Sequence, residues 1–348
     1  MIINHIHNSE KNKSILLDCT LRDGGYVNDW MFGRKNIQRI VQLLDMSGVD
    51  YIEMGFIRLD DYNPEQAGFN KIEQISDLIP TTRTKLAAMV EIGYGYPAAY
   101  FPQKIETNNI ELIRLIIWKR LLKESVEYCK ELVKKGYRVC VQVTRTDQYT
   151  EKEFIDLIKM FNETKIYGLY IVDTFGLMNK EMVLNYSVIA DEYLHTDIAL
   201  GYHAHNNMQQ AFTNTIAMTE KNWKHQLMID ASVLGMGRGA GNLNLELYMK
   251  YCNDNYGTDY NIEPLITIVD ECLMPFYKSS PWGYSMPYYL SAVNNVNPTY
   301  TTYFIHHGLT IKQIDLIFRE LKLKDTNIVY DKNIADEMVS EFQGVISV

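Results

Sequence analysis

The chain has 348 residues, 47% of them hydrophobic and 22% charged, a globular balance that excludes a disordered or low-complexity protein. A formal net charge of −9 argues against broad binding to the phosphate backbone of nucleic acid. No apolar run reaches the roughly 18 residues needed to span a bilayer. The N-terminal stretch MIINHIHNSEKNK lacks an apolar signal core, and the cysteines (Cys19, Cys129, Cys140, Cys252, Cys272) form no close pair. A reduced, cytoplasmic protein without a CxxC-type metal site is therefore expected.

Short apolar runs alternate with longer amphipathic ones. Strands are predicted at Ile15–Thr20, Asp50–Phe56, Lys85–Glu91, Glu111–Ile117, Arg138–Val143, Gly168–Asp173, Ile198–His205 and Met228–Leu234, runs that read as parallel strands buried on both faces. Helices are predicted at Lys35–Met46, Lys119–Lys135, Glu151–Asn162, Lys180–Leu194, Met208–Thr219 and Leu243–Asn253. Gly48 and Gly136 serve as C-cap signals, and Thr150 with Glu153 as a capping box. Eight such alternations within about 240 residues favour a (β/α)8 barrel over an open doubly wound sheet. The long polar connection from Arg58 to Asn70 is the kind of βα loop that carries binding residues.

Beyond Asn261 the pattern changes. Pro264, Pro275, Pro281, Pro287 and Pro298 interrupt it, tyrosines crowd Tyr277–Tyr303, and helices are predicted only at Thr310–Glu320 and Asp331–Phe342. The expected organisation is a flexible tail over 1–13, a catalytic barrel over 14–260 and a small helical C-terminal region over 261–348. His5 and His7, flanked by polar residues, belong to the tail.

Four motifs carry chemistry. In Gly201-Tyr202-His203-Ala204-His205-Asn206, residues i and i+2 of a strand share a face, so two imidazoles would look into a barrel mouth as half of a divalent-metal site. The plainer alternative is a pair of structural histidines. Asp18-Cys19-Thr20-Leu21-Arg22-Asp23-Gly24-Gly25-Tyr26 sets a carboxylate beside a guanidinium and two glycines, which admit a ligand close to the backbone. Glu53 is a charge inside an apolar strand and needs a partner, for which Arg22 is the natural candidate. Gly235-Met236-Gly237-Arg238-Gly239-Ala240-Gly241-Asn242 is not a dinucleotide fingerprint, but Asn242 could add a neutral oxygen ligand.

Together with Asp173-Thr174-x-Gly176-Leu177, these motifs occur in the order and at the strand ends of the DRE-TIM metallolyases, which the chain resembles over residues 14–256. The resemblance is nearest to the 4-hydroxy-2-oxovalerate aldolase branch, whose Gly-Tyr-x-x-x-Tyr stretch is matched by Gly283, Tyr284 and Tyr288. It implies a lyase joining or splitting a pyruvate-like 2-oxo acid and an aldehyde. Asp23, His203 and His205, with Asn242 as a fourth, would bind a divalent cation, Mn²⁺ or Mg²⁺ ahead of Co²⁺ or Zn²⁺. Arg22 would bind the 2-oxo acid and stabilise its enolate while Glu53 holds Arg22, and Thr174, Tyr284 and Tyr288 would line the substrate site. A homo-oligomer is expected, and the branch also implies an aldehyde-processing protein partner.

Two departures stand out. Where that branch places an acid/base histidine this chain has Tyr26, an ordinary phenol and a poor base at neutral pH. Glu91 is the preferred substitute, a loop-edge charge paired with a cation being its plainer reading. Trp118-Lys119-Arg120 predicts a bulkier, more cationic rim and hence a larger or anionic aldehyde. The alternatives in other classes are a Claisen-type acyl-CoA condensing acyltransferase and a non-catalytic metal-binding partner subunit.

Overall fold

The computed structural model describes residues 13–105 and 110–343. The expected tail, with His5 and His7, lies almost wholly outside them. Eight parallel strands form the barrel: β1 (Ile15–Asp18), β2 (Tyr51–Ile57), β3 (Lys85–Glu91), β4 (Ile110–Ile117), β5 (Arg138–Val143), β6 (Gly168–Asp173), β7 (Ala199–Ala204) and β8 (Leu227–Ala231). Each pairs with the next in the chain, and β8 returns to β1 with Leu17 opposite Asp230. A two-residue strand, Gly68–Phe69, adds to β2 from within the Arg58–Asn70 connection.

The surrounding helices are α1 (Arg34–Ser47), α2 (Glu73–Leu78), α3 (Leu122–Lys134), α4 (Glu151–Asn162), α5 (Lys180–Tyr193), α6 (Ala211–Thr219) and α7 (Leu245–Tyr256). In α1, Ile37, Ile40, Val41 and Leu44 repeat at helical spacing and are buried, so one stripe faces the strands. The Thr150–Glu153 capping box opens α4 as expected. The main apolar core lies between strands and helices, and a smaller one with Leu17, Tyr51, Leu112, Tyr170 and Met228 fills the barrel.

Three predicted strands run too far. β1 stops at Asp18 because its carboxylate takes the Thr20 amide at 3.0 Å and the Thr20 hydroxyl at 2.7 Å, starting the helical turn Thr20–Asp23. β8 stops at Ala231 before a 3₁₀ turn, Val233–Gly235, with Leu234 at φ 53°. β7 stops at Ala204, and His205 makes an isolated bridge to Asn242.

The C-terminal region holds more helix than expected. α8 (Glu263–Ile268) continues through a π-helical segment, Val269–Leu273, into α9 (Met274–Ser279), followed by α10 (Met286–Val293), α11 (Pro298–His306), α12 (Ile311–Leu323) and α13 (Lys332–Gln343). Four of the five prolines read as interruptions are starts: Pro264, Pro275, Pro287 and Pro298 sit in first turns, where the missing N–H costs nothing, and only Pro281 lies between helices. Val296, Tyr300, Phe304, Ile314, Phe318 and Met338 belong to a separate apolar cluster there. No helix among the described residues is long and apolar enough to cross a membrane.

Candidate metal centre and active site

His203 points into the barrel from β7, and His205 follows it two residues on, the rings 4.9 Å apart. Asp23 arrives from the turn after β1, its Oδ2 standing 3.4 Å from His205 Nε2 and 4.0 Å from His203 Nε2. All three residues are buried, and their ligand atoms lie within 4.8 Å of one another. His205 Nδ1 lies 2.8 Å from the Asp173 carbonyl, and His203 Nδ1 2.9 Å from Asp230 Oδ2. Both acceptors require a proton on Nδ1, so in the neutral rings each Nε2 turns its lone pair toward Asp23. Burial pulls His203 below its ordinary value against the pull of Asp230, which keeps that imidazole neutral.

Asp23 Oδ2, His203 Nε2, His205 Nε2 and Asn242 Oδ1 are all buried without a hydrogen-bond partner among the described residues. Buried acceptors normally find a donor. Orphan acceptors converging here fit a divalent cation taking oxygen and imidazole ligands. Asn242 donates through Nδ2 to the Met236 carbonyl at 3.1 Å, which frees its Oδ1. Gly237 makes the room: a Cβ there would stand 2.8 Å from Asp23 Oδ2 and 2.2 Å from Asn242 Nδ2.

Behind these ligands runs a buried charge network. Arg22 donates through Nη1 to Asp23 Oδ1 at 2.5 Å and through Nε to Glu53 Oε2 at 2.7 Å. Burial alone would raise the Asp23 carboxyl, but the Arg22 guanidinium and the two imidazoles hold it well below the usual carboxylate range. Glu53 Oε2 also accepts from Arg114 at 2.8 Å, and Arg114 donates to Asp230, the partner of His203. Arg114 and Asp230 escape a reading of motifs alone, yet the signal that singles out Glu53, a charge inside an apolar strand, marks both. Asp18 lies close by, its carboxyl pushed up to about 7 by burial.

Asp23, His203 and His205 open into a cleft lined also by Arg22, Tyr26, Glu91, Trp118, Gln142, Thr174 and Arg238. Thr174 Oγ1 accepts from the Arg145 amide at 2.7 Å. Tyr26 packs against Trp30 at 4.8 Å, and desolvation pushes its phenol up, away from service as a base. Glu91 is buried and accepts from Trp118 Nε1 at 2.8 Å. Burial raises its carboxyl above the ordinary value although Trp118 and the guanidiniums of Arg58, Arg238 and Arg120 oppose the rise. Tyr284 and Tyr288 are not among the lining residues: Tyr284 is exposed, and the Tyr288 hydroxyl meets Thr302 at 3.0 Å. Nor does the Trp118-Lys119-Arg120 rim form as expected. Lys119 pairs with Glu153 at 2.8 Å, and only Trp118 of the three lines the cleft.

Residues 111–269 match the HMGL-like family. The chain is 26% identical over 236 residues to a 4-hydroxy-2-oxovalerate aldolase of Geobacillus genomosp. 3, covering 67% of this chain and 68% of the relative. It is 24% identical over 242 residues to an oxaloacetate decarboxylase of Mycobacterium tuberculosis, at the same coverage. The fold matches the N-terminal domain of a Bacteroides vulgatus protein provisionally assigned as an aldolase, with TM-score 0.69 and 24% identity, covering 83% of this chain and 96% of that one. The motif resemblance thus stands: the chain is a (β/α)8 barrel of which residues 111–269 match the HMGL-like family.

Proposed function

We propose that the protein is a divalent-metal-dependent lyase that makes and breaks a carbon–carbon bond between a pyruvate-like 2-oxo acid and an aldehyde. The observation that carries this reading is the convergence of three orphan ligand atoms beside a buried guanidinium at one end of the cleft. The cation, held by Asp23, His203, His205 and Asn242, would supply Lewis acidity toward the 2-oxo acid's oxygens. Arg22 has Nε and Nη1 committed to Glu53 and Asp23, which fixes the guanidinium plane, and its remaining Nη2 is assigned to the substrate's C2 oxygen. As the C3–C4 bond of a 4-hydroxy-2-oxo acid breaks, its electron pair becomes the enolate on that oxygen, where a fixed positive charge lowers the barrier.

The proton of the C4 hydroxyl passes to a base, the aldehyde leaves, and C3 of the enolate is protonated to give the 2-oxo acid. Glu91 is assigned as that base: it lines the cleft, and burial moves its carboxyl toward the range where proton exchange is efficient. Tyr26, with its raised phenol, serves as a hydrogen-bond donor. The test is pyruvate release from a panel of 4-hydroxy-2-oxo acids with and without Mn²⁺. Silence at every metal removes the proposal.

A second reading is favoured by the similarity to the decarboxylase. Loss of CO2 from oxaloacetate leaves the same enolate, stabilised by the same charges. Metal-dependent CO2 release above the spontaneous rate, with no aldehyde cleavage, would establish it instead.

A further inference from the structure

The cleft also holds donors that nothing among the described residues satisfies. Gln142 is 3% exposed, and its Nε2 has no partner. Arg238 Nε is likewise buried without an acceptor, although Nη2 is anchored by Asn297 Oδ1 and, at 3.0 Å, by Thr299 Oγ1. Both residues line the cleft. Among the described residues no carboxylate pairs with Arg238. Its guanidinium stands 5.7 Å from the Tyr26 ring and within electrostatic reach of Glu91. Glu91 is itself engaged by Trp118, so Arg238 adds to this part of the cleft a guanidinium with no ion-pair partner among the described residues.

Two buried orphan donors, one of them on a guanidinium without an ion-pair partner, call for an anion with more than one acceptor oxygen. The 2-oxo acid's reacting oxygens are already provided for by Arg22 and the candidate cation. We propose that the aldehyde taken by this enzyme carries a second, negatively charged group, a carboxylate, received by Arg238 and Gln142. Arg238 is thus a specificity-determining residue, held rigid by the start of α11. This inference rests on the aldolase reading above.

The experiment compares condensation of pyruvate with matched aldehydes in the presence of Mn²⁺: succinic semialdehyde against butanal, and glyoxylate against acetaldehyde. The wild-type protein should prefer the charged member by about tenfold or more in kcat/KM, the scale of one charge-assisted contact. Arg238→Gln should bring the ratio close to one, and Arg238→Lys should restore part of it. Neutral aldehydes preferred or equal in the wild type would overturn the proposal, as would failure of every charged aldehyde. An Arg238→Gln variant that slows both classes alike or raises the pyruvate KM also overturns it, since that is the mark of a merely structural or pyruvate-binding role. Deuterium exchange at C3 of pyruvate, which needs no aldehyde, reports separately on the aldolase reading: exchange with no selectivity refutes the specificity alone, and no exchange refutes both.

Discussion

Replacing Arg114 with methionine tests the charge network most directly. The guanidinium is fully buried, 2.8 Å from Glu53 Oε2 and bonded to Asp230, and its ring neighbour Tyr170 lies 4.8 Å away. Methionine fills much of the volume but removes the charge, so Glu53 keeps only Arg22 and Asp230 keeps only His203. Breaking a buried pair from one side costs about 3–5 kcal/mol, because the remaining charge has no water to return to. Against a total stability of about 5–15 kcal/mol, the variant stays folded at 25 °C but sits near the margin. With a urea slope of roughly 2–3 kcal/mol/M, the unfolding midpoint should fall by about 1–2 M with the slope unchanged. Adding Asp230→Asn should recover part of the loss, since the unpaired charge becomes an amide. A midpoint shift worth less than about 1 kcal/mol, or strictly additive losses in the double variant, would refute the idea that Arg114 neutralises two buried carboxylates.

Three further outcomes follow from the same geometry. Mn²⁺ at about 100 times its Kd should stabilise the fold by roughly 2.7 kcal/mol and raise Tm by several degrees, and His203→Ala or Asp23→Asn should abolish the rise while leaving the fold largely intact. A rise that survives either substitution would place the ion elsewhere. Arg22→Lys should lower kcat/KM by at least about 100-fold, because an ammonium cannot hold Asp23, Glu53 and substrate at once; near-normal turnover would remove its assigned role. The third concerns Asp18, whose carboxyl is raised to about 7 by burial, above its value in an unfolded chain. The folded state therefore retains a proton that the unfolded chain releases, and stability is lost as pH climbs from about 4 to 7. Asp18→Asn does not titrate, so its advantage over wild type in urea midpoint should widen between pH 5 and 7.5, by at most about 3 kcal/mol. A gap independent of pH would contradict this.

The period of the hydrophobic pattern was sufficient for the barrel. Runs such as Leu169–Val172 are apolar on both faces because helices cover one side and the barrel interior the other. The two-residue spacing of His203 and His205 likewise determined that the imidazoles share a face, since alternation is built into an extended backbone. Local pattern had no access to where strands yield to turns. β1 ends at Asp18 because a side chain competes for the Thr20 amide, and that ending is what swings Asp23 toward β7. Nor did it reveal that Arg114 and Asp230, from β4 and β8, back Glu53 and His203, or that Gln142 and Arg238, from β5 and the loop after β8, line the same cleft, because such groups come together only when the barrel closes. Residue type and spacing are properties of the chain, whereas burial, the pairing of charges and the orphaning of a lone pair belong to the closed barrel, because they depend on which distant groups exclude water from one another.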